Sequence, residues 1–367
     1  MSTRLELTHP GGTTPIDAGA GALAAAREWL LDWTRGRTLF VLSSPTVWGL
    51  HGDALSCLTG EPTSAHRAVV LHAPDGEEAK TLAVAGGLWQ RMLAEGGKRD
   101  SRLVTLGGGS VGDLGGFVAG CFLRGIPFVN LPTTLLAQVD AAIGGKTGID
   151  LPGGKNTVGL FHHPDRVIAD SRFLATLPKR ELVSGLVEVV KMAFLLDPPL
   201  LERVGRELPD LLGGEPAALG PVVAGAAAAK VWVVERDPTE RGERKLLNFG
   251  HTLGHAIEAE LGYRGLTHGE AVAYGLLFAL RLSVERGLPA AEAARLEDLL
   301  ARFGLPPLPA LDAAELVGHM KKDKKAREGG LAWVLAARLG EGEVVEGIPL
   351  EHVAERLAPF LADPWRS

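Results

Sequence analysis

Arg102-Leu-Val-Thr-Leu106 runs directly into Gly107-Gly108-Gly109-Ser110-Val111-Gly112-Asp113. The first five residues have the aliphatic and β-branched content of a buried strand, and the glycines end it at once. Gly107, Gly109 and Gly112 form G-x-G-x-x-G, and the residues beyond read as a helix. In a strand–turn–helix setting, glycine allows the tight turn and lets backbone N–H groups approach a pyrophosphate at the positive helix end. The bland alternative is a purely structural glycine turn. One feature departs from the usual dinucleotide pattern. A ribose-binding acid is expected about 20 residues later, where Leu131-Pro132-Thr133-Thr134 stands instead. Acids come earlier, in Asp75-Gly76-Glu77-Glu78-Ala79-Lys80, so the cofactor is expected to be gripped from a preceding loop.

Outward from this turn, residues 37–42, 67–72 and 127–131 read as further strands, and 78–95 as a helix. Such alternation predicts a Rossmann-like α/β domain with a parallel sheet. Beyond about residue 172 the pattern turns helical, over 179–196, 216–237, 246–261, 268–286 and 290–303, with strands only at 331–335 and 343–345. The chain is long enough for two domains at roughly 100–200 residues each. The expectation is an α/β nucleotide-binding domain over 1–171 and a mostly α-helical, metal- and substrate-binding domain over 172–367. The first 20 residues are expected to add an edge strand.

Composition excludes several classes. The chain is 46% hydrophobic and 22% charged, with net charge −6 and no basic arm, so no nucleic-acid partner is expected. Lys321, Lys322, Lys324 and Lys325 cluster around Asp323 and read more readily as a solvated helix end than as a phosphate grip. Cys57 and Cys121 make no disulfide framework. The opening MSTRLELTHPGG lacks a signal-peptide pattern, and the apolar stretch 115–144 is broken by Arg124, Pro127, Pro132 and Asp140. A cytoplasmic protein without a membrane partner is expected.

His251-Thr-Leu-Gly-His255 places two imidazoles on one helix face, and His268-Gly-Glu270 begins 17 residues after His251. With a carboxylate they suit zinc. Spacing does not choose that carboxylate: Glu181, Glu188, Glu258 and Glu270 are equal candidates. Lys146 and the Lys155-Asn156 pair lie in glycine-rich loops that fail the Walker spacing but suit an anion held by backbone N–H groups. Lys230, Arg244 and Asn248 extend the anion-binding candidates, each of them an ordinary surface residue if taken alone.

Together these segments resemble the 3-dehydroquinate synthase family. The likeness runs over residues 70–335, through Asp75–Lys80, Gly107–Asp113, Leu131-Pro-Thr-Thr-Leu135, Asp140–Asp150, Gly154-Lys155-Asn156, Phe173–Pro178, Glu188–Lys191, Asn248–His255, His268-Gly-Glu270 and Asp323-Lys324-Lys325. The resemblance implies zinc, or cobalt, on Glu188, His251 and His268. It implies NAD+ on Asp75, Gly76, Glu77, Glu78, Ala79, Lys80, Gly109, Ser110, Val111, Gly112, Asp113, Thr133, Thr134, Lys155, Phe173, Leu174, Ala175 and Thr176. It implies a substrate pocket of Asp140, Lys146, Asn156, Lys191, Lys230, Arg244, Asn248, His255 and Lys324, with Lys146 also in the cofactor set. Arg124 resembles an arginine that reaches a neighbouring subunit's substrate phosphate, which implies a homodimer. The implied activity is that of a phosphate-eliminating lyase of the shikimate pathway to aromatic amino acids. It turns the sugar acid 3-deoxy-D-arabino-heptulosonate 7-phosphate into 3-dehydroquinate and phosphate, by transient oxidation, elimination, reduction and aldol closure. The rivals are a cyclase of the same fold acting on a neutral sugar phosphate, a metal-dependent polyol dehydrogenase that would release NADH, and a non-catalytic regulatory or scaffolding relative.

Overall fold

The computed structural model describes residues 2–60, 67–152, 154–323 and 331–365. Among them the strands are β1 (Thr3–His9), β2 (Gly12–Ala18), β3 (Thr38–Ser43), β4 (Arg67–His72), β5 (Arg102–Gly107), β6 (Phe128–Pro132), β7 (Lys146–Leu151), β8 (Gly154–Phe161), β9 (Arg166–Ala169), β10 (Leu331–Arg338) and β11 (Glu341–Ile348). The helices are α1 (Ala22–Thr34), α2 (Pro45–His51), α3 (Ser56–Thr59), α4 (Leu82–Ala94), α5 (Gly109–Cys121), α6 (Lys179–Leu196), α7 (Pro198–Leu212), α8 (Pro216–Arg236), α9 (His251–Glu260), α10 (His268–Glu285), α11 (Ala290–Ala301), α12 (Ala313–Asp323) and α13 (Leu350–Ala362).

Two compact units result. The first comprises Met1–Pro178 and Gly213–Glu235, the second Lys179–Leu212 and Arg236–Ser367. The first unit therefore takes in residues 172–178 and 213–235, which lie beyond the boundary expected at residue 171.

The first unit is built on a seven-stranded sheet ordered β1-β2-β9-β6-β5-β3-β4, in which only the β1–β2 pairing is antiparallel. Successive side chains of its central strands enter opposite cores. Leu39, Val41, Val104, Leu106 and Val129 pack with Ala22, Leu23, Ala26 and Leu30 of α1. Phe40, Leu42, Leu103 and Phe128 pack with Leu88 and Met92 of α4 and with Leu114, Phe117 and Val118 of α5. Burial on both faces is why these strands read as unbroken aliphatic runs. The expected N-terminal edge strand is a hairpin, β1–β2. The short β9 was not expected.

In α8 one window is long and apolar enough to cross a membrane by length and composition, but 56% of it is buried inside the protein. Pro216 of this helix accepts a hydrogen bond from Ser171, and its Lys230 pairs with Asp140, all within the first unit.

The second unit is mostly helical, as expected, and centres on α6, whose residues from Leu182 to Leu195 are all buried. Helix α10 packs on both α6 and α9. Two glycines permit the close approach. A Cβ on Gly269 would drive into the backbone of Ser184 in α6, and one on Gly275 into the Gly250 carbonyl at the start of α9. The helix expected over 246–261 begins only at His251. A 3-10 turn over Glu243–Asn248 precedes it, and Gly250 at φ +78 reverses the chain between them. The expected C-terminal strands form the β10–β11 hairpin.

Candidate metal centre and nucleotide site

Because β4, β5, β6 and β9 are parallel, the segments that follow them leave the same, carboxyl edge of the sheet. These segments hold Asp75–Lys80, Gly109–Asp113, Thr133–Thr134 and Phe173–Thr176, the whole nucleotide set apart from Lys146 and Lys155. The chain passes from β3 to β4 on one side and returns to β5 on the other, so the glycine turn sits at the topological switch point, where such sheets bind ligands.

Side chains stitch these segments together. Lys80 is 3% exposed and donates to Asp113 Oδ2 at 2.9 Å and to Asn156 Oδ1. Glu77 Oε2 and Asp150 Oδ1 each lie 3.9 Å from its Nζ. Ser110 Oγ donates to Glu77 Oε1 at 2.7 Å, and the Asn156 amide donates to Asp150 Oδ1 at 2.6 Å. Burial alone would push the Lys80 ammonium down, but Asp113, Glu77 and Asp150 outweigh it and hold its pKa up. Burial raises the Asp113 carboxyl to about 6 against the pull of Lys80. Burial works the same way on Glu77, yet Lys80, Ser110 and Lys155 bring it below its ordinary value. Asn156, expected to touch substrate, is thus tied to Lys80, expected to touch nucleotide.

Thr46 Oγ1 donates to Asp75 Oδ2 at 2.8 Å. The Thr133 amide donates to Gly107 O at 2.8 Å, and Thr134 Oγ1 accepts from Ala137 N at 3.2 Å, opening the short turn Ala137–Ala141 that carries Asp140. Asp140 pairs with Lys230. Lys146 lines a small cavity with Gly109, Gly112 and Asp113. Phe173–Thr176 lies in the 3-10 turn Ser171–Thr176, capped by Asp170, which also accepts from Gly21 N at 3.1 Å and Leu23 N at 3.0 Å and so fixes the start of α1. Arg124 is exposed and held at φ 72, directly after Leu123 at φ 52.

The second unit brings Glu188 of α6, His251 of α9 and His268 of α10 together, the three atoms they offer lying within 4.8 Å of one another. His251 Nε2 and His268 Nε2 each stand 3.6 Å from Glu188 Oε1. Glu188 is 0% exposed. Its Oε2 accepts from Lys191, while its buried Oε1 has no hydrogen-bond partner. His251 Nδ1 faces the Phe249 carbonyl at 3.1 Å. A carbonyl only accepts, so the proton sits on Nδ1 and the Nε2 lone pair points at Glu188. Lone pairs converging on a solvent-free carboxylate oxygen repel unless a cation lies among them, so this donor set fits zinc or a similar ion. Burial, then Lys191, His255 and His268, push the His251 pKa well below its ordinary value. Burial also opposes protonation of His268, but Glu258 and Glu188 outweigh it and raise its pKa.

The competing carboxylates are otherwise engaged. Glu270 is bound by Arg180 and accepts from Thr267 N at 2.7 Å, Glu258 meets the other nitrogen of His268, and Glu181 is exposed. His255 lies one turn beyond His251, its ring centroid 5.9 Å from that of His268. Arg244 is buried and donates through Nη1 to Pro238 O at 2.7 Å. Asn248 donates to Glu240 Oε1 at 2.9 Å, and Glu240 sits at φ 59. Neither Glu240 nor the Asp150 contact was anticipated, because no local spacing marks them. Lys324 lies outside the described residues. Thr267 and Glu270 form a capping box that starts α10 beside His268. Thr267→Ala is expected to cost about 1 kcal/mol of stability, read from the shift in urea midpoint at unchanged slope.

The N-terminal model of 3-dehydroquinate synthase matches residues 70–184, and the C-terminal model matches 185–326. A 3-dehydroquinate synthase of Geobacter metallireducens is 41% identical over 93% of this chain and 94% of its own length. The chain belongs to the 3-dehydroquinate synthase family. A second 3-dehydroquinate synthase, from Rhodospirillum rubrum, is 44% identical over 89% of this chain and 86% of its own. The fold is shared with 2-deoxy-scyllo-inosose synthase, solved with carbaglucose-6-phosphate, NAD+ and Co2+, at TM-score 0.85 and 25% identity over 97% of this chain and 99% of that one. It is shared too with 2-epi-5-epi-valiolone synthase from Streptomyces hygroscopicus, solved with NAD+ and Zn2+, at TM-score 0.85 and 27% identity over 96% of this chain and 97% of that one. The 3-dehydroquinate synthase relatives match well upstream of residue 70, where the sequence alone carries little of the family pattern.

Proposed function

We propose that this chain converts 3-deoxy-D-arabino-heptulosonate 7-phosphate to 3-dehydroquinate and phosphate as a cytoplasmic homodimer. In this reading the first unit holds NAD+, and Glu188, His251 and His268 of the second hold zinc or cobalt. The observation that carries it is the unpartnered, buried Glu188 Oε1 facing two imidazole nitrogens, in a chain whose relatives carry this enzyme's name.

When bound, NAD+ supplies a hydride acceptor and the metal a Lewis acid. The chain's own residues do the rest. The glycine turn offers backbone N–H groups to the pyrophosphate at the start of α5. Lys80 holds that turn and the β7–β8 hairpin in one arrangement. Lys146, Asn156, His255 and the exposed Arg124, offered to a second copy, bind the substrate phosphate. Arg244 presents a planar fork that pairs with the substrate carboxylate, with Lys230 and Asn248 completing the anion set. Holding one substrate conformation and excluding water supplies much of the rate.

The test mixes purified protein, NAD+, zinc and the heptulosonate phosphate, and follows phosphate release together with NADH absorbance. Phosphate release without net NADH, and dehydroquinate as product, are expected. NADH accumulating from glycerol without phosphate release would move the chain to the polyol dehydrogenases. Turnover of a neutral hexose 6-phosphate in place of the sugar acid would move it to the neutral-sugar cyclases, a reading that buried Arg244 disfavours.

A further inference from the structure

We infer that Glu258 is the positioning residue of the metal centre: its carboxylate fixes the ring and tautomer of His268, so that Nε2 is delivered beside Glu188 Oε1. The inference rests on the metal reading proposed above. Glu258 is 7% exposed and follows His251 and His255 along one face of α9, at the i, i+4, i+7 spacing. Its Oε2 lies 3.1 Å from His268 Nδ1. An ionised carboxylate only accepts, so Nδ1 carries the proton, and in the neutral ring that a metal requires Nε2 is the bare nitrogen. The two histidines are anchored differently. His251 leans on the backbone carbonyl of Phe249, whereas His268, with 30% of its side chain exposed, depends on a side chain that mutation can remove.

Two overlapping groups compete for His268: Glu188 with His251, and Glu258 with His255. The first is where the cation belongs. There a fully buried carboxylate oxygen meets two ring nitrogens at equal distance with no hydrogen bond between them. In the second, Glu258 already meets a proton-bearing nitrogen. Partners of this kind raise ligand basicity and hold ring orientation, and losing one costs about 10–100-fold in metal affinity.

The experiment uses the full chain, stripped of metal. Zinc affinity is measured by chelator competition and the ligand set by the visible spectrum of the cobalt-loaded protein. The proteins are the wild type, Glu258→Gln, Glu258→Ala and, as a ligand-loss reference, His251→Ala. Glu258→Gln is expected to weaken zinc about 10-fold and Glu258→Ala toward 100-fold, both keeping the wild-type cobalt bands at saturation. Glu258→Gln preserves shape and decides the matter if Glu258→Ala does not fold, folding being checked by thermal unfolding of the metal-free forms. Wild-type zinc affinity in Glu258→Gln would overturn the inference. Loss as complete as in His251→Ala, with changed cobalt bands, would also overturn it by making Glu258 a ligand. A wild type that binds no metal would overturn the underlying reading, an outcome visible in that arm alone.

Discussion

His268→Ala is expected to reduce turnover at least about a thousandfold, equivalent to roughly 4 kcal/mol of transition-state stabilisation, through loss of the metal. Removing one of three donors leaves Glu188 and His251 with too little to hold an ion against dialysis. The fold should survive, because His268 is partly exposed and the core of the second unit is aliphatic. Metal content after dialysis, kcat and the thermal midpoint of the metal-free protein separate these effects. Full zinc occupancy in the variant would sink the assignment. Alanine at Glu188 is a poorer test, since it would strand the buried ammonium of Lys191, and an unpaired buried charge destabilises by about 3–5 kcal/mol in its own right.

Gly275→Ala is expected to destabilise the second unit by about 3 kcal/mol or more and to weaken metal binding with it. The new Cβ would overlap the Gly250 carbonyl oxygen and stand 2.8 Å from its carbon and 2.9 Å from Gly254 N. To relieve this, α9 must retreat until the C···O contact reaches roughly 3.3–3.6 Å. His251 and His255 ride on α9 while His268 rides on α10, so the donors separate as the helices part. A lower urea midpoint at unchanged slope, with weaker zinc in chelator competition, is the predicted signature. A midpoint unchanged from wild type would show that the crossing yields without cost.

Much of this was legible in the sequence, for identifiable reasons. Strands such as Leu39–Leu42 and Leu103–Leu106 are buried on both faces, so their apolar runs are unbroken and their ends sharp. Helix α7 escaped notice: Pro198, Pro199 and Pro209 punctuate it, although Leu200, Leu201, Val204, Leu208 and Leu211 form a buried stripe. β9 has only four residues to announce it. The histidine pair was visible because one helix carries both rings. The carboxylate proposed to join His251 and His268 was not, because what distinguishes Glu188 from Glu181, Glu258 and Glu270 is complete burial and an unmet oxygen, properties of three helices packed together. The Lys80 network is hidden for the same reason, since its partners come from three separate segments.

The chain crosses between its two units at 178–179, 212–213 and 235–236. No single cut therefore yields both units whole. A fragment ending at Pro178 would lack α8 and leave Asp140 without its Lys230 and Ser171 without the Pro216 carbonyl. During synthesis the α/β half, although it starts at the N-terminus, cannot close until Glu235 has emerged, after α6 and α7 of the other half have already been made. The usual order, in which an amino-terminal domain finishes before its neighbour begins, is not open to this chain. Completion of the α/β half therefore waits on a stretch of chain that follows part of the helical half.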